Sequence, residues 1–445
     1  MRCTPGWLLI CQDQSTGYAA YYLSHIPEMI IAHKGLLMTN QSQQDPEDTT
    51  PNIDSESVHN LDQYMFDLKH ILTHGKKKIG ILIGAGAPVS INVGTEGGSW
   101  ESLIPDIAGL TEIIKSQLDD SDLAVYKLLE EDLPNSNLEL ILSRVRSLEE
   151  ILGAAKVHGY DSTGYSILNE NICSEIKDVV SKSLPKGENP YSKIVSWITG
   201  INRKHPVEIF TTNYDLLMEE AFERAKSPYF DGFSGSRLSF FDPASISSND
   251  LPPRWSRLWK LHGSINWAKR EGEVVRVNDT TSGEMVYPSH IKYDQTQSAP
   301  FSSMFERLKE FLLEPDSLLI TAGFSFADAH ISSKLDECLS ANPSTAVFAF
   351  QYKGLEDEKH VTDIASRRSN LSAYCNDGAV INGVKGKWKL GDLPSKNWQS
   401  IRFDYWNDKH FLLGDFQSFT NFLGSSGGDT ALTAVENTTK EQNDV

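Results

Sequence analysis

Short apolar runs alternate with longer amphipathic segments along most of this chain. In the longer segments apolar residues recur every three or four positions, as in helices, whereas the short runs are rich in β-branched and aromatic residues, as in buried strands. The predicted strands are Ile79–Ile83, Val207–Thr212, Leu258–Leu261, Ser317–Thr321 and Thr345–Phe350. Strands that alternate with helices form mostly parallel sheets. We therefore predict an α/β fold with a Rossmann-like, mostly parallel sheet.

The predicted helices are concentrated after the first strand. Helical spacing is found over Leu103–Leu110, Ile113–Leu129, Leu138–Leu152 and Ile172–Val180, and elsewhere over Leu61–Leu72, Tyr191–Ile201, Leu216–Phe222, Phe301–Leu313 and Ile331–Leu339. We interpret residues of about 100–190 as a helical subdomain inserted after the first strand. Residues 1–60 are predicted to be loosely ordered, residues 61–420 to form the folded domain, and residues 421–445 to be a disordered acidic tail.

Composition limits the classes of function. The sequence has 41 basic and 60 acidic residues and a net charge of −19, so we expect contact with nucleic acid only through a partner. Its five cysteines include no C-x-x-C pair, which argues against a disulfide framework and a cysteine zinc site. No apolar run approaches the roughly 18 residues of a membrane span. We expect a cytoplasmic protein with no metal and no membrane association.

The first predicted strand is followed by a glycine turn suited to binding phosphate. In open parallel sheets ligands bind at the carboxyl ends of the strands, and at Gly84–Gly86 backbone N–H groups and a helix N-terminus could meet a pyrophosphate. The third glycine of a dinucleotide fingerprint is missing, because Val89 stands there, so a purely structural turn stays an alternative. No Walker A pattern is present, so the chain itself is not expected to hydrolyse ATP.

Three further strand ends carry candidate chemistry. Asn213 and Asp215 follow the second predicted strand, where Asp215 is equally well explained as a helix N-cap. His262 follows the third strand, and histidine is the side chain best suited to accept a proton near neutral pH, although a given one of the 12 histidines is most often structural. The fourth strand leads into Gly323–Ser325, which could offer donors to phosphate, and Asp328 is placed to cap the next helix.

Together these segments resemble the sirtuin-like domain. The matching segments are, in order, Gly84–Gly86, Thr211–Asp215, Lys260–Ser264 and Gly323–Ser325, within a resemblance that covers about residues 79–350. The Thr-Thr-Asn-Tyr-Asp form and the Gly-Phe-Ser-Phe-x-Asp-x-His ending look like the bacterial antiviral branch rather than the protein deacetylases. Phe230–Gly235 and the lack of an appended domain look most like the standalone subunit that works with a HerA-type ATPase.

The resemblance implies a role for each site residue. The implied NAD-binding residues are Gly84, Ala85, Gly86, Ser90, Thr212, Gly323, Phe324, Ser325 and Asp328. Asn213 and Asp215 would position the nicotinamide ribose or the attacking water, and His262 would be the general base. Two features depart from deacetylases, because the four-cysteine zinc module is absent and the arginine expected after the glycine loop is not evident.

The resemblance therefore implies NAD as a substrate that is hydrolysed to nicotinamide and ADP-ribose. The implied biological role is that of effector in an antiphage (abortive infection) system, with a HerA-type ATPase and a homo-oligomer as expected partners. Two alternatives stay open. One is an NAD-dependent protein deacylase, which the missing zinc cysteines disfavour, and the other is a non-catalytic module that binds NAD or ADP-ribose to control a partner ATPase.

Overall fold

The computed structural model of the protein describes residues 57–94, 98–134, 136–248, 251–277, 299–407 and 409–425. Most of the predicted loosely ordered segment 1–60 and of the predicted tail 421–445 lies outside these residues. The described parts of both differ from the prediction, since Val58–Asn60 form a strand and residues 421–425 belong to a helix. The domain boundaries otherwise stay predictions.

Helices and strands alternate along the described chain. The helices are α1 (Leu61–Thr73), α2 (Gly86–Val89), α3 (Ile107–Gln117), α4 (Asp120–Asp132), α5 (Leu138–Leu152), α6 (Ser162–Val180), α7 (Pro190–Gly200), α8 (Leu217–Arg224), α9 (Pro243–Ser247), α10 (Phe301–Leu313), α11 (Ala329–Ala341), α12 (Lys359–Arg367), α13 (Trp398–Tyr405) and α14 (416–425). The strands are β1 (Val58–Asn60), β2 (Lys78–Ile83), β3 (Asn92–Gly94), β4 (Trp100–Ser102), β5 (Glu208–Thr211), β6 (Tyr229–Phe230), β7 (Phe233–Ser234), β8 (Phe240–Phe241), β9 (Ser256–Lys260), β10 (Trp267–Arg270), β11 (Glu273–Arg276), β12 (Ser317–Ala322), β13 (Ala346–Phe350), β14 (Leu371–Tyr374), β15 (Gly378–Ile381), β16 (Val384–Lys389), β17 (Trp406–Asn407) and β18 (His410–Phe411). None of the helices in the described ranges is long and apolar enough to cross a membrane.

Ten strands form one sheet in the order β1-β16-β15-β14-β13-β12-β2-β5-β9-β6. Its neighbouring strands are parallel except where β15 pairs with β14 and with β16. Successive residues of β2 face separate apolar cores, with Ile81 in one and Leu82 in the other, so helices cover both faces. The predicted α/β fold with a mostly parallel sheet is confirmed.

The boundaries of the inserted helices differ from the prediction at two places. The expected break between Leu110 and Ile113 is absent, and α3 instead ends before Asp119, which accepts the N–H of Asp122 at 2.8 Å and so starts α4. Helix α6 begins well before Ile172, after the N-cap Asp161. Side-chain caps, rather than gaps in the apolar pattern, define these boundaries.

Strands β1, β6 and β14–β16 were not predicted from the sequence. Most of them are very short, and the longest, Val384–Lys389, carries three lysines that give it the polarity of a loop. β1 pairs in parallel with β16, where Val58 stands opposite Lys387. A pairing between residues so distant in the sequence leaves no local pattern.

The register of the parallel strands aligns the ends of four of them. Ala322 at the end of β12 stands opposite Ile83 of β2, Ile83 opposite Thr211 of β5, and Thr211 opposite Lys260 of β9. The four adjacent strands therefore end in one row, and the loops that follow them all begin at the same edge of the sheet. This is the carboxyl edge, where open parallel sheets bind their ligands.

The turns that follow β2 and β12 are in backbone contact. The N–H of Gly84 donates to Ala322 O at 3.1 Å, and the N–H of Gly86 donates to Gly323 O at 2.9 Å. A Cβ on Gly84 would lie only 2.4 Å from Gly323 O, and one on Gly323 only 2.5 Å from Ala87 N. These glycines are therefore required because the two turns touch each other, whether or not a ligand is bound.

The helix predicted to follow Gly84–Gly86 and to attract a pyrophosphate is a single turn. Only Gly86–Val89 are helical, and the chain then enters β3. Glycine and proline are poor helix formers, and Pro88 stands in this turn. The expected helix is therefore present but only one turn long, so an anion would be bound here mainly by individual backbone N–H groups.

Replacing Gly84 by alanine should lower the free energy of unfolding by about 3 kcal/mol, because the new methyl group overpacks the turn after β12. Gly200→Ala is the matched control, since nothing lies within 4 Å of a Cβ there and the site ends α7. Urea unfolding of both variants measures the difference. A Gly84→Ala variant as stable as Gly200→Ala would contradict the contact between the turns.

Candidate active site

The residues predicted from three strand ends come together at the carboxyl edge. Asn213, Asp215 and His262 are each more than nine-tenths buried, although all three are polar. A buried polar group without a partner costs about 1–3 kcal/mol, so the partners of these side chains decide what the site can do.

His262 is paired with Asp328. His262 Nε2 lies 2.8 Å from Asp328 Oδ2, and the two residues lie in the segments that follow β9 and β12. The other oxygen of Asp328 accepts the N–H groups of His330 (2.8 Å) and Ile331 (3.1 Å), which confirms the predicted helix cap. One carboxylate therefore starts α11 and also holds the imidazole that is the candidate base.

Asp328 is ionised at neutral pH. Burial opposes its charge, but His262 and the two backbone N–H groups outweigh burial and lower the pKa of Asp328 to about 2. The preceding turn is fixed by Phe326, which is buried with a φ of 58° and whose carbonyl accepts Ser332 Oγ at 2.8 Å. Residues in this left-handed region are found at sites where the surroundings hold the backbone in place.

Asn213 presents a buried acceptor. Its Oδ1 is enclosed and has no hydrogen-bond partner within the part of the chain that the structure describes, whereas its backbone N–H donates to Thr211 Oγ1 at 3.0 Å. Tyr191 of α7 lies beside it, and burial raises the pKa of this tyrosine well above its usual value. An acceptor of this kind fits a ligand that brings a donor, such as a sugar hydroxyl or a water.

A buried lysine connects the ends of β5 and β9. Lys260 is 2% exposed, and its Nζ donates to the main-chain oxygen of Asp215 and lies 3.4 Å from Tyr214 O and 3.0 Å from Glu219 Oε1. Burial raises the pKa values of Asp215 and Glu219, and the charge of Lys260 opposes both changes. Asp215 Oδ1 accepts the N–H of Leu217 at 3.0 Å, so it also helps to start α8, from one residue before the N-cap.

The other predicted site residues lie in or beside the two glycine turns. Ala85 and Ser325 are exposed there. Ser90 is half-buried and donates its hydroxyl to a main-chain carbonyl of α2 at 2.8 Å. The N–H of Thr212 bonds to the last residue of β2 at 3.2 Å. Phe324 has a buried ring, so it can meet a ligand only through its backbone.

The sequence reasoning missed three residues of this site: Lys260, Glu219 and Tyr191. Only Lys260 left a signal, because a lysine inside an otherwise apolar strand must find polar partners when the strand is buried. Glu219 and Tyr191 occupy ordinary positions on α8 and α7, and only the packing of these helices brings them to the edge.

A cavity of about 390 Å³ opens beside these strand ends. Its wall includes Leu216, Glu219 and Ile265, each within a few residues of Asp215 or His262 in the chain, and it also reaches Asp231 and Arg276. A second cavity of about 310 Å³ is lined by α9 and α10, and neither cavity is lined by any of the predicted site residues. Among the described residues, no group of three His, Cys, Asp or Glu side chains could hold a metal ion.

The ends of β5, β9 and β12 all lie within one stretch that matches a protein-family model. Residues 207–374 match the model of the SIR2-like domain. This part of the chain is similar to the SIR2-like domain. The match includes Asn213, His262 and Asp328 and begins after Gly84–Gly86, so the first glycine turn lies outside it.

Comparison with complete proteins adds little to the SIR2-like match. None of the curated proteins matches the chain. One solved chain, from work on the structural basis for the mechanism and regulation of Sir2 enzymes, is 13% identical, with a TM-score of 0.32, and the alignment covers 66% of this chain and 87% of that chain. With a TM-score this low, the fold assignment depends on the strand order of this chain itself.

Replacing Asp328 by asparagine should destabilise the protein in a pH-dependent way. The folded-state pKa of about 2 lies below the ordinary value of 3.8, so the carboxylate adds stability that is fully present above about pH 4 and is lost as the pH falls towards 2. At pH 7 we expect Asp328→Asn to lower the free energy of unfolding by about 2 kcal/mol, and by less at pH 3.

Asparagine caps helices as well as aspartate does, so the substitution tests the charge rather than the cap. Denaturant unfolding of wild type and variant at several pH values measures the effect. In a His262→Gln background the loss should become smaller. A loss that is the same at every pH and in both backgrounds would contradict the pairing.

Proposed function

We propose that this protein is an NAD glycohydrolase, which uses water to cleave the bond between nicotinamide and ribose. The observation that carries the proposal is the pairing, at one carboxyl edge, of an enclosed acceptor without a partner, Asn213 Oδ1, and an imidazole held by a carboxylate, His262 with Asp328. The SIR2-like match over residues 207–374 supports NAD as the molecule bound.

The reaction requires little acid catalysis from the protein. Nicotinamide leaves as a neutral molecule from a cationic precursor, and it takes the electron pair of the broken C–N bond. The protein must hold the ribose, aim a water and accept its proton as the new C–O bond forms. In this proposal Asn213 Oδ1 accepts a hydrogen bond from the ribose or the water, His262 takes the proton, and Asp328 stabilises the imidazolium that results.

The same residues weigh against a pure NAD sensor. A module that only binds NAD needs no base, whereas here His262 is buried and held by an ionised carboxylate. Deacylation uses the same bond cleavage, but it requires a binding site for an acyl-lysine peptide. Hydrolysis needs only water as its second substrate and is the simpler chemistry.

Asn213→Ala and His262→Ala should each abolish the release of nicotinamide from NAD while the protein stays folded. The first loses the acceptor that orients ribose or water, and the second loses the base. Chromatography of products after incubation of the purified protein with NAD measures the rate, and circular dichroism checks the fold.

His158→Ala is the matched control for these variants. His158 also pairs with an aspartate, with its Nε2 2.7 Å from Asp132 Oδ2, but it lies in the helical insertion. It should keep wild-type turnover. Full activity in both Asn213→Ala and His262→Ala would rule out these roles, and saturable NAD binding without any turnover in wild type would favour the sensor module.

We also propose the biological role that the sequence resemblance implies, namely depletion of NAD in an antiphage system together with a HerA-type ATPase. Only the resemblance of the four motifs supports this part. Light scattering of the purified chain should show a homo-oligomer, and a mixture with a HerA-type ATPase should show a larger complex. A protein that is monomeric at micromolar concentration and does not bind the ATPase would contradict both expectations.

A further inference from the structure

We infer that Lys260 is a positioning residue of this site: from the end of β9 it holds the backbone that follows Asn213, so that the amide of Asn213 faces the reacting atoms. The catalytic consequence of this inference rests on the proposed function. The structural consequence, an ordered loop after β5, does not.

The contacts of Lys260 define what it holds. An ammonium group has three donors, and here they are directed at Asp215 O, Tyr214 O and the carboxylate of Glu219. The two carbonyls belong to the two residues directly after Asn213. Glu219 belongs to α8, so the ammonium lies between the loop and the helix that the loop leads into.

Main-chain bonds from the same segment hold the other side of this loop. Leu261 N–H donates to Thr211 O at 2.8 Å, and Ile265 N–H donates to Tyr214 O at 3.1 Å. Tyr214 O therefore receives both the ammonium of Lys260 and the amide of Ile265. The segment 260–265 thus holds the loop at both ends, and it also contains His262.

Burying a lysine in a strand is unfavourable, because its ammonium group loses its contact with water. Lysine is almost never fully buried unless it is paired, and replacing a buried ion pair by apolar residues is often neutral or stabilising. If the side chain at position 260 only had to pack in the core, an apolar residue would therefore be sufficient. What an apolar side chain cannot do is bind the two carbonyls that turn the loop after Asn213.

Lys260 also connects the two reacting side chains. It stands two residues before His262, and its ammonium contacts the main-chain carbonyls of the two residues after Asn213. A shift of the β9 end would therefore move the base and the loop together. Misplacement of a catalytic group by about 1 Å can cost 10²-fold in rate, so the connection has a measurable effect.

The test compares Lys260→Met with Lys309→Met, a lysine in a surface pair with Glu306 on α10. Lys260→Met should lower kcat for NAD hydrolysis by about 10- to 100-fold, because the loop is no longer held. The KM for NAD should change less than about threefold, since the glycine turns are untouched. Lys309→Met should behave as wild type.

A double variant, Lys260→Met with Glu219→Gln, separates positioning from charge compensation, because it leaves no unpaired glutamate in the core. If the double variant is as stable as wild type but still slow, the positioning role is supported. If it recovers wild-type kcat, Lys260 serves only to neutralise Glu219, and the inference is overturned.

Hydrogen exchange in the absence of NAD measures how well the loop is ordered, independently of turnover. In the double variant the amides of residues 213–217 and of Ile265 should exchange faster than in wild type, while those of β12 stay unchanged. Unchanged exchange at the loop would overturn the inference even if kcat fell. A wild-type protein that does not hydrolyse NAD would refute the proposed function, and the exchange result would still decide the role of Lys260.

Discussion

The parallel register of β12, β2, β5 and β9 is the constraint on which the site depends. Their last residues stand in one row across the sheet, so the glycine turns, Asn213 and His262 all leave the same edge. Neighbouring strands are about 4.8 Å apart, which places the end of β12 about 14 Å from the end of β9. The segments that follow must cross this distance, and Asp328 does so to reach His262.

Several side chains at this edge serve both the fold and the site. Asp328 caps α11 and pairs with His262, Asp215 helps to start α8, and Lys260 joins the loop after β5 to α8. Each of these side chains makes a contact that also positions a neighbour. Asn213 Oδ1 is one of several enclosed polar atoms of the described residues that have no hydrogen-bond partner, and the hydroxyls of Tyr191 and Ser264 are others. Atoms of this kind fit a ligand that brings polar groups of its own.

Local patterns predict the centre of the fold better than its edges. Buried strands such as Lys78–Ile83 and Ser317–Ala322 are continuous apolar runs, and the polar residues after them identify the edge. The lysine-rich strand Val384–Lys389 and the early start of Ser162–Val180 could not be predicted, because the first depends on distant pairing and the second on a cap. The contact between Lys260 and Glu219 depends on how α8 packs, which no local pattern contains.

In the proposed function, the backbone of the site binds the substrate and its side chains carry out the reaction. The ends of β2 and β12 offer glycine turns in mutual contact, whereas the ends of β5 and β9 offer an amide and an imidazole. Asp328 joins the two halves, because the segment that begins at Gly323 also carries the partner of His262. If the substrate binds at that turn, as the proposed function requires, one short piece of chain holds both its phosphates and Asp328, the partner of the proposed base. Any movement of the turn on substrate binding would then also move Asp328 and, through it, His262. The hydrogen-bond geometry of His262 therefore need be complete only when substrate is bound.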